Sequence, residues 1–449
     1  ERLKHELSVI KQIHREKGKD FSLYFVTQRV ITEIAERKML IGCGRGSAAG
    51  SLINYVLGIT SVDPIRFGPP GGLYFERFLN PARAEMPDID SDFEDVNVLV
   101  DDLKSHFGVD SVLPITNYNT FKLKSLIKDL GRLYDIPWDE VNDLTSRVEA
   151  EVKPHVIDAG ENKSLFELRY DDCMKHSTRF REFMGKHPDV GGAIKVLYKQ
   201  NKSLGCHASG VIIADGIDSK MPVITTKNGF QAPWVEGLNY KHLGDYGFVK
   251  FDLLGLDTLR IIRRTIELIL SRQGVSPVTW PKVKAWYDAH LSPEVINFDD
   301  QRVYKHVYHE GRWAGIFQFT SPGAQRFIKK FMPRNLDDIA VATALYRPGP
   351  LAAKFDDQYL RAKEDPSKVV YDHPAIKEVL GFTYGTVVFQ EQLMARVKGV
   401  RKKLSVELGF LIQPVRIRDA LNIDPDTYHI VLKGVIRGKG EIKVGREMA

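Results

Sequence analysis

Cysteine is scarce and scattered in this chain of 449 residues: Cys43, Cys173 and Cys206 are the three it has, and no two form a CxxC pair. That spacing argues against a disulfide framework and against a zinc site built on cysteine pairs. Long apolar runs are missing as well. A candidate such as 259–270 is cut by Arg and Glu, so no segment reads as a membrane span. The first 19 residues are heavily charged and lack an apolar stretch, so no secretory signal is expected there. Internal repeats and low-complexity tracts are also lacking. The remainder is an ordinary globular balance, 43% hydrophobic, 27% charged and 10% aromatic. It predicts a cytoplasmic protein, without a membrane partner, whose length suits about three domains.

The distribution of charge is more telling than its sum. A formal net charge of +6 does not by itself imply nucleic acid. The carboxylates, however, concentrate in residues 85–95, while Lys and Arg recur in short helical stretches elsewhere. An acidic centre with basic approaches is what a metal-dependent enzyme acting on a polyanion requires.

Apolar residues at three- and four-residue spacings (Leu7, Ile10, Ile13, then Val26, Val30, Ile34) predict helix through residues 1–38. Gly42, Gly44, Gly46 and Gly50 break that pattern, and 51–57 resumes it. FGPPGGL at 67–73 is a turn signal. Segments 74–79 and 85–93 read as extended, 101–107 and 118–132 as helical, and 133–200 as a charged helical insertion. Segments 206–214 and 247–253 read as strands, 258–270 as a strong helix, and 276–403 as helices between Pro-rich turns. From 404 to 449 the chain turns to short strand-like runs and a Gly/Lys-rich end.

The segment MPDIDSDF (86–93) is the most informative. Side chains alternate faces along a strand, so Asp88, Asp90 and Asp92 would share one side. Three carboxylates on one face repel each other unless cations join them, and hard oxygen donors suit Mg²⁺. Two such ions would support an in-line phosphoryl displacement. A helix cap or a solvated acidic loop is the plain alternative. A calcium loop fits poorly, since Phe93 stands where glycine is needed and Leu99 where the closing glutamate belongs. A second apolar run, VKFDLL (249–254), places Lys250 and Asp252 on one strand face. Such a charged pair is costly there unless used or neutralised. Asp252 could complete a metal site and Lys250 could meet a phosphate.

GCGRGSAAGS (42–51) precedes a helix. Its glycines allow close backbone approach, Arg45 offers a bidentate phosphate donor and Ser47 a hydroxyl. A helix N-terminus would add free amides for an anion. The GK[ST] of a Walker A loop is missing, and close helix packing explains the glycines equally well.

Together these segments resemble the C-family replicative polymerases, the bacterial DNA polymerase III alpha subunits. The matching blocks are GCGRGSAAGSL (42–52), YFERFLNPARAEMPDIDSDF (74–93), HASGVIIAD (207–215), VKFDLLGLDTLRII (249–262), GIFQFTSPGAQRFIKKFMP (315–333), DIAVATALYRPGPL (338–351) and TYGTVVFQEQLM (383–394). The resemblance implies an α+β chain whose palm is a polymerase-beta-like nucleotidyltransferase with a mixed or antiparallel sheet. The palm would occupy 1–117 and 200–257, a helical thumb 118–199, large mostly helical fingers 258–403, and a later fingers segment 404–449. It implies that Asp88, Asp90 and Asp252 bind two Mg²⁺ ions and are catalytic, with Asp92 unassigned. Arg45, Gly46, Ser47, Lys250 and Arg347 would bind the nucleotide. Lys124, Lys128 and Arg132, spaced i, i+4 and i+8, would face duplex phosphates, as would Arg326 and Lys330. His207, beside Cys206, reads as a hydrogen-bonded structural residue.

The implied activity is template-directed DNA synthesis from dNTPs on primer–template DNA, with a sliding clamp and other replisome proteins as partners. A DNA-binding or assembly module that keeps the fold without synthesis is the alternative. Several features depart from the family pattern. No PHP domain is seen, so a nuclease in cis is not expected, and no clamp-binding or OB domain is seen either. The helix-rich segment with an FNKSHA-like motif should follow FQEQLM, yet 397–404 runs into GFLIQP (409–414), which resembles a later part of the fingers. Residues 436–441 would end that part in a helix-hairpin-helix-like turn. The FGPPGG insertion marks a divergent or phage-borne member.

Overall fold

A computed structural model of the chain describes residues 1–18, 20–68, 72–81, 87–156, 168–226, 229–236, 238, 240–352, 354–371, 374–392, 427–432 and 435–441. The chain divides into two compact units. The first is Glu1–Ile296 with Gly315–Phe317 and Ser321–Gly323, and the second is Asn297–Ala314, Gln318–Thr320 and Ala324–Ala449.

In the first unit the N-terminal apolar pattern forms two helices, α1 (Arg2–Lys17) and α2 (Ser22–Glu36). The break falls at Gly18, whose φ of 66° ends α1 in a left-handed cap. The glycine segment contains a 3₁₀ stretch, Gly46–Gly50, leading into the short α3 (Leu52–Val56). Next come β1 (Asp90–Phe93) and α4 (Val96–Phe107), whose first amides donate to the Asp95 side chain. Strand β2 (Val112–Thr120) leads to five helices: α5 (Leu123–Leu133), α6 (Trp138–Val156), α7 (Tyr170–His176), α8 (Thr178–Lys186) and α9 (Pro188–Leu197). The chain returns through β3 (Asn201–Ile213), α10 (Ile217–Lys220), β4 (Ile224–Thr226), β5 (Gly229–Gln231) and β6 (Lys250–Gly255), then α11 (Asp257–Arg272) and α12 (Trp280–His290).

Four strands pair in the order β1-β6-β3-β2. The β1–β6 pair is parallel and the other two are antiparallel, so the sheet is mixed and the architecture α+β. Alternation sorts the strand residues onto two faces. Phe93, Val112, Val211, Phe251 and Leu253 join one core with α1, α2 and α4. Leu113, Ile115 and Ile212 join a smaller core on the opposite face with Ile217 and Phe248. Helices α5–α9 have a core of their own, built from residues such as Leu126, Leu144, Val148, Phe180 and Ile194.

The second unit contains α13 (Gln301–Val303), α14 (Pro322–Phe331) from Ala324 onward, α15 (Leu336–Leu345), α16 (Pro348–Ala352), α17 (Phe355–Glu364) and α18 (Pro374–Leu380). Phe331 stacks on Tyr359 with ring centroids 5.4 Å apart, and Ile328, Val341 and Leu345 are buried. The hairpin β7 (Thr427–Leu432) and β8 (Val435–Glu441) is antiparallel.

Several sequence expectations are corrected here. Residues 436–441 lie in β8 instead of forming a helix-hairpin-helix-like turn. Within 74–79, Phe75–Arg77 is a 3₁₀ turn where extended chain was expected. Residues 118–120 end β2 instead of opening a helix. Pro114 and two asparagines make that strand a poor match to strand propensity, and its place at the margin of the sheet tolerates the proline. Residues 85 and 86, and the junction at 393–426 with its GFLIQP block, lie outside the described residues. No helix among the described residues is long and apolar enough to cross a membrane.

Candidate active site on the acidic face of the sheet

Strand β6 carries its chemistry by alternation. Phe251 and Leu253 point into the main core, so Lys250 and Asp252 project from the other face. Its parallel neighbour β1 repeats the pattern. Phe93 is fully buried on the core side, and the Ser91 hydroxyl there accepts from Gln28 Nε2 at 2.9 Å. Asp90 and Asp92 therefore share the face of Asp252. The register pairs Asp90 with Asp252 and Asp92 with Leu254. Asp88 lies two residues ahead of β1, outside the strand that was expected to include it. The chain there is fixed by the Ile89 amide, which donates to the Tyr24 hydroxyl at 2.9 Å. The Tyr24 ring packs 5.3 Å from that of Phe251.

Negative charge dominates this face. Loss of hydration raises Asp88 above the usual carboxylate range, reinforced by Asp252 and Asp90 and opposed by Lys250. Loss of hydration and then Asp252 raise Asp90, opposed by Arg45 and Lys250. Lys250 bridges Asp252 at 3.0 Å and Glu236 at 3.1 Å. Burial works to lower its ammonium, but the two carboxylates outweigh burial and hold it above its ordinary value. Asp92 pairs with Arg45 at 3.0 Å. Among the described residues, the cations that oppose the charge of Asp88 and Asp90 are Lys250, which acts on both, and Arg45, which acts on Asp90. No group of three or more His, Cys, Asp or Glu side chains among the described residues is arranged to hold a metal ion. The donors nevertheless suit a hard divalent cation in kind, being carboxylate oxygens with uncompensated charge.

The glycine segment lies directly against β1. Ile41 bridges Phe93, and the Gly42 amide donates to Asp92 O at 2.8 Å. A Cβ on Gly42 would sit 2.8 Å from that of Asp92, closer than side-chain atoms tolerate. Gly46 has φ +58°, and a Cβ there would come within 3.1 Å of Asp90 Oδ2. Gly42→Ala is therefore expected to lower stability by about 1–3 kcal/mol through overpacking, measurable as a lower urea midpoint with unchanged slope. No loss would mean that Asp92 moves aside freely. The Ser47 hydroxyl has no protein partner among the described residues.

The helix start expected to offer free amides is already occupied. The fully buried Glu6 accepts from Leu52 N at 2.9 Å, Ile53 N at 3.0 Å and Ser51 Oγ at 3.1 Å. Arg2 donates to Glu6 at 2.7 Å and, through Nη2, to Gly50 O and Leu73 O, both at 2.8 Å. The sequence reading missed Glu6, Tyr24, Gln28 and Glu236. The available signal was polar residues at helix positions whose spacing points inward, as with Gln28 between Tyr24 and Thr32.

The remaining candidates stand elsewhere. On α5, Lys124 donates to Glu149 and holds that carboxyl below its usual range. Lys128 and Arg132 do share a helix face, but both lie over the Trp138 ring, at 5.3 and 5.9 Å. Arg326, Lys330 and Arg347 belong to the second unit. Arg326 and Arg347 are exposed, and Lys330 pairs with Asp357 at 3.2 Å. His207 Nδ1 accepts from Gly210 N at 2.7 Å, which fits the structural role expected of it.

Comparison with known proteins matches residues 1–255 to the bacterial DNA polymerase III alpha NTPase domain and 258–413 to the finger domain of the same subunit. The chain is similar to the DNA polymerase III subunit alpha of Campylobacter jejuni, 32% identical over 405 residues that cover 89% of this chain and 30% of that protein. The corresponding subunit of Aquifex aeolicus is 33% identical, covering 88% of this chain and 33% of the relative. That of Treponema pallidum is 34% identical, with 88% and 30% covered. This chain belongs to the bacterial DNA polymerase III alpha family. It spans about a third of the length of the curated relatives it matches.

Proposed function

We propose that this chain is the core of a template-directed DNA polymerase, joining a deoxynucleotide from a dNTP to a primer 3′-hydroxyl. The observation that carries this reading is the pairing of Asp90 with Asp252 on parallel neighbours, with the Gly46 backbone against Asp90. In this reading residues 1–117 and 200–257 are a polymerase-beta-like palm and 118–199 the thumb. Residues 258–403 are the fingers and 404–449 a later fingers segment.

Asp88, Asp90 and Asp252 would hold Mg²⁺. Bound there, the metal supplies charge neutralisation and Lewis acidity at the reacting phosphate. The chain's own groups do the positioning. Arg45, the Gly46 backbone and Ser47 hold the triphosphate from the glycine loop. Lys250, kept charged by Asp252 and Glu236, meets phosphate oxygen, and Arg347 is a further phosphate donor. The 3′-hydroxyl gives up its proton to solvent and its oxygen bonds to the alpha phosphorus as the bond to the bridging oxygen breaks, and pyrophosphate leaves. Lys124, Lys128 and Arg132 on α5, with Arg326 and Lys330 on α14, serve duplex phosphates by exchanging present partners for the backbone. A sliding clamp and other replisome proteins are the partners such a core would meet.

The test is extension of a primed template with Mg²⁺ and four dNTPs, comparing the chain with Asp90→Ala. Template-dictated extension by the first alone is the expected result. Salt-sensitive duplex binding by both proteins without extension by either would replace the reading with a DNA-binding module.

A further inference from the structure

Two aspartates of β1 share a face, yet their surroundings differ. Asp90 has a carboxylate, Asp252, as its register partner, and repulsion between the two calls for a cation. Asp92 lies one two-residue step along the strand, about 7 Å away, beside the apolar Leu254. It is 7% exposed, and its Oδ1 accepts from Arg45 Nη1 at 3.0 Å. The glycine loop is shaped around this contact. Gly42 donates to the Asp92 carbonyl and lacks the Cβ that would collide with the Asp92 side chain. Arg45 has extended backbone, φ −146° and ψ 156°, just before the positive-φ Gly46, where a Cβ would crowd Asp90. Its guanidinium carbon lies 5.8 Å from the centroid of the Phe317 ring. Asp92 is its one protein acceptor among the described residues.

A planar guanidinium held at one nitrogen by a buried carboxylate and leaning on an aromatic ring loses little further freedom when it meets an anion. We infer that Asp92 is a positioning residue and not a metal ligand: it holds Arg45 beside the glycine loop, where the guanidinium grips the phosphates of a nucleoside triphosphate. This inference rests on the polymerase reading and deepens it, since it assigns the third aspartate of the run a task in substrate binding. Among the described residues neither Asp88 nor Asp90 forms an arginine ion pair like that of Asp92, and the two are left to the metal.

The experiment is a double-mutant cycle in primer extension, with Asp92→Asn, Arg45→Ala and the double variant, measuring kcat and KM for dATP and the Mg²⁺ concentration for half activity. Direct titration of each protein with dATP gives a second readout, and thermal unfolding checks each fold. Asp92→Asn is expected to raise KM about tenfold with kcat within about threefold, the signature of lost substrate binding. Its Mg²⁺ requirement should be unchanged. Arg45→Ala should raise KM at least as much, and adding Asp92→Asn to it should change little more. Collapse of kcat in Asp92→Asn with a raised Mg²⁺ requirement would make Asp92 a ligand and overturn the inference. So would additive effects in the double variant, or an unchanged KM in Arg45→Ala, whose half-exposed side chain can be removed without opening the core. A parent chain that neither extends primers nor binds dATP removes the polymerase reading and this inference together. Undiminished dATP binding by Asp92→Asn removes the inference alone.

Discussion

Asp252→Asn is expected to reduce single-turnover primer extension by about a thousandfold or more, equivalent to about 4 kcal/mol of transition-state stabilisation. Asparagine keeps the shape of the side chain and removes its charge. The flanking Phe251 and Leu253 stay in the core, so β6 should remain paired on both sides. What changes is the charge opposite Asp90. Asp252 heads the neighbouring charges that raise Asp90, and Lys250 would keep its ion pair with Glu236. Without that second carboxylate the pair on adjacent strands no longer offers a shared cation site. The measurement is rapid-quench extension at saturating dNTP, beside an unfolding curve that should match the parent. Extension within about tenfold of the parent would mean that Asp252 is not a metal ligand.

Glu6→Gln is expected to cost about 3–5 kcal/mol of stability, the range for breaking a buried charged pair from one side. Every group around Glu6 is a donor: Arg2 Nε and Leu52 N at one oxygen, Ser51 Oγ and Ile53 N at the other. A glutamine amide would turn its NH₂ toward the Leu52 or the Ile53 amide whichever way it is placed, leaving a donor facing a donor in a fully buried site. Arg2 would lose its carboxylate while still bound to the carbonyls of Gly50 and Leu73. Urea denaturation measures the loss. A change below about 1 kcal/mol would show that α1 is not the anchor of the glycine segment.

How far these features were legible follows from how local they are. The alternation Lys250-Phe251-Asp252-Leu253 is visible in four residues, and both its strand and its charged face were expected. Helix periodicity likewise put Lys128 and Arg132 on one face, but not Trp138 beneath both of them, because that ring comes from the following helix. The register of Asp90 with Asp252 joins strands separated by β2–β5 and by α4–α10, and nothing in either segment specifies a parallel pairing. Glu6 was hidden among the charges of the first helix, since its partners other than Arg2, at Ser51, Leu52 and Ile53, lie more than forty residues away. Strand β2 was missed because Pro114 and its asparagines suit a turn. Pairing with β3, a long-range contact, overrides that local preference.

The helices between β2 and β3 leave and return at one point. Phe121 N donates to Gln200 O and Lys199 N to Phe121 O, both at 3.0 Å, just beyond the pairing of Thr120 with Asn201. To the sheet, the excursion is the tip of a hairpin, and among the described residues its buried apolar core is made without a strand residue. Such a segment can lengthen, shorten or be exchanged at little cost in chain entropy, because closure depends only weakly on the length enclosed. The chemistry-bearing register and the part free to change are thereby uncoupled: a lineage could remodel what stands on the hairpin while the two aspartates beneath stay face to face.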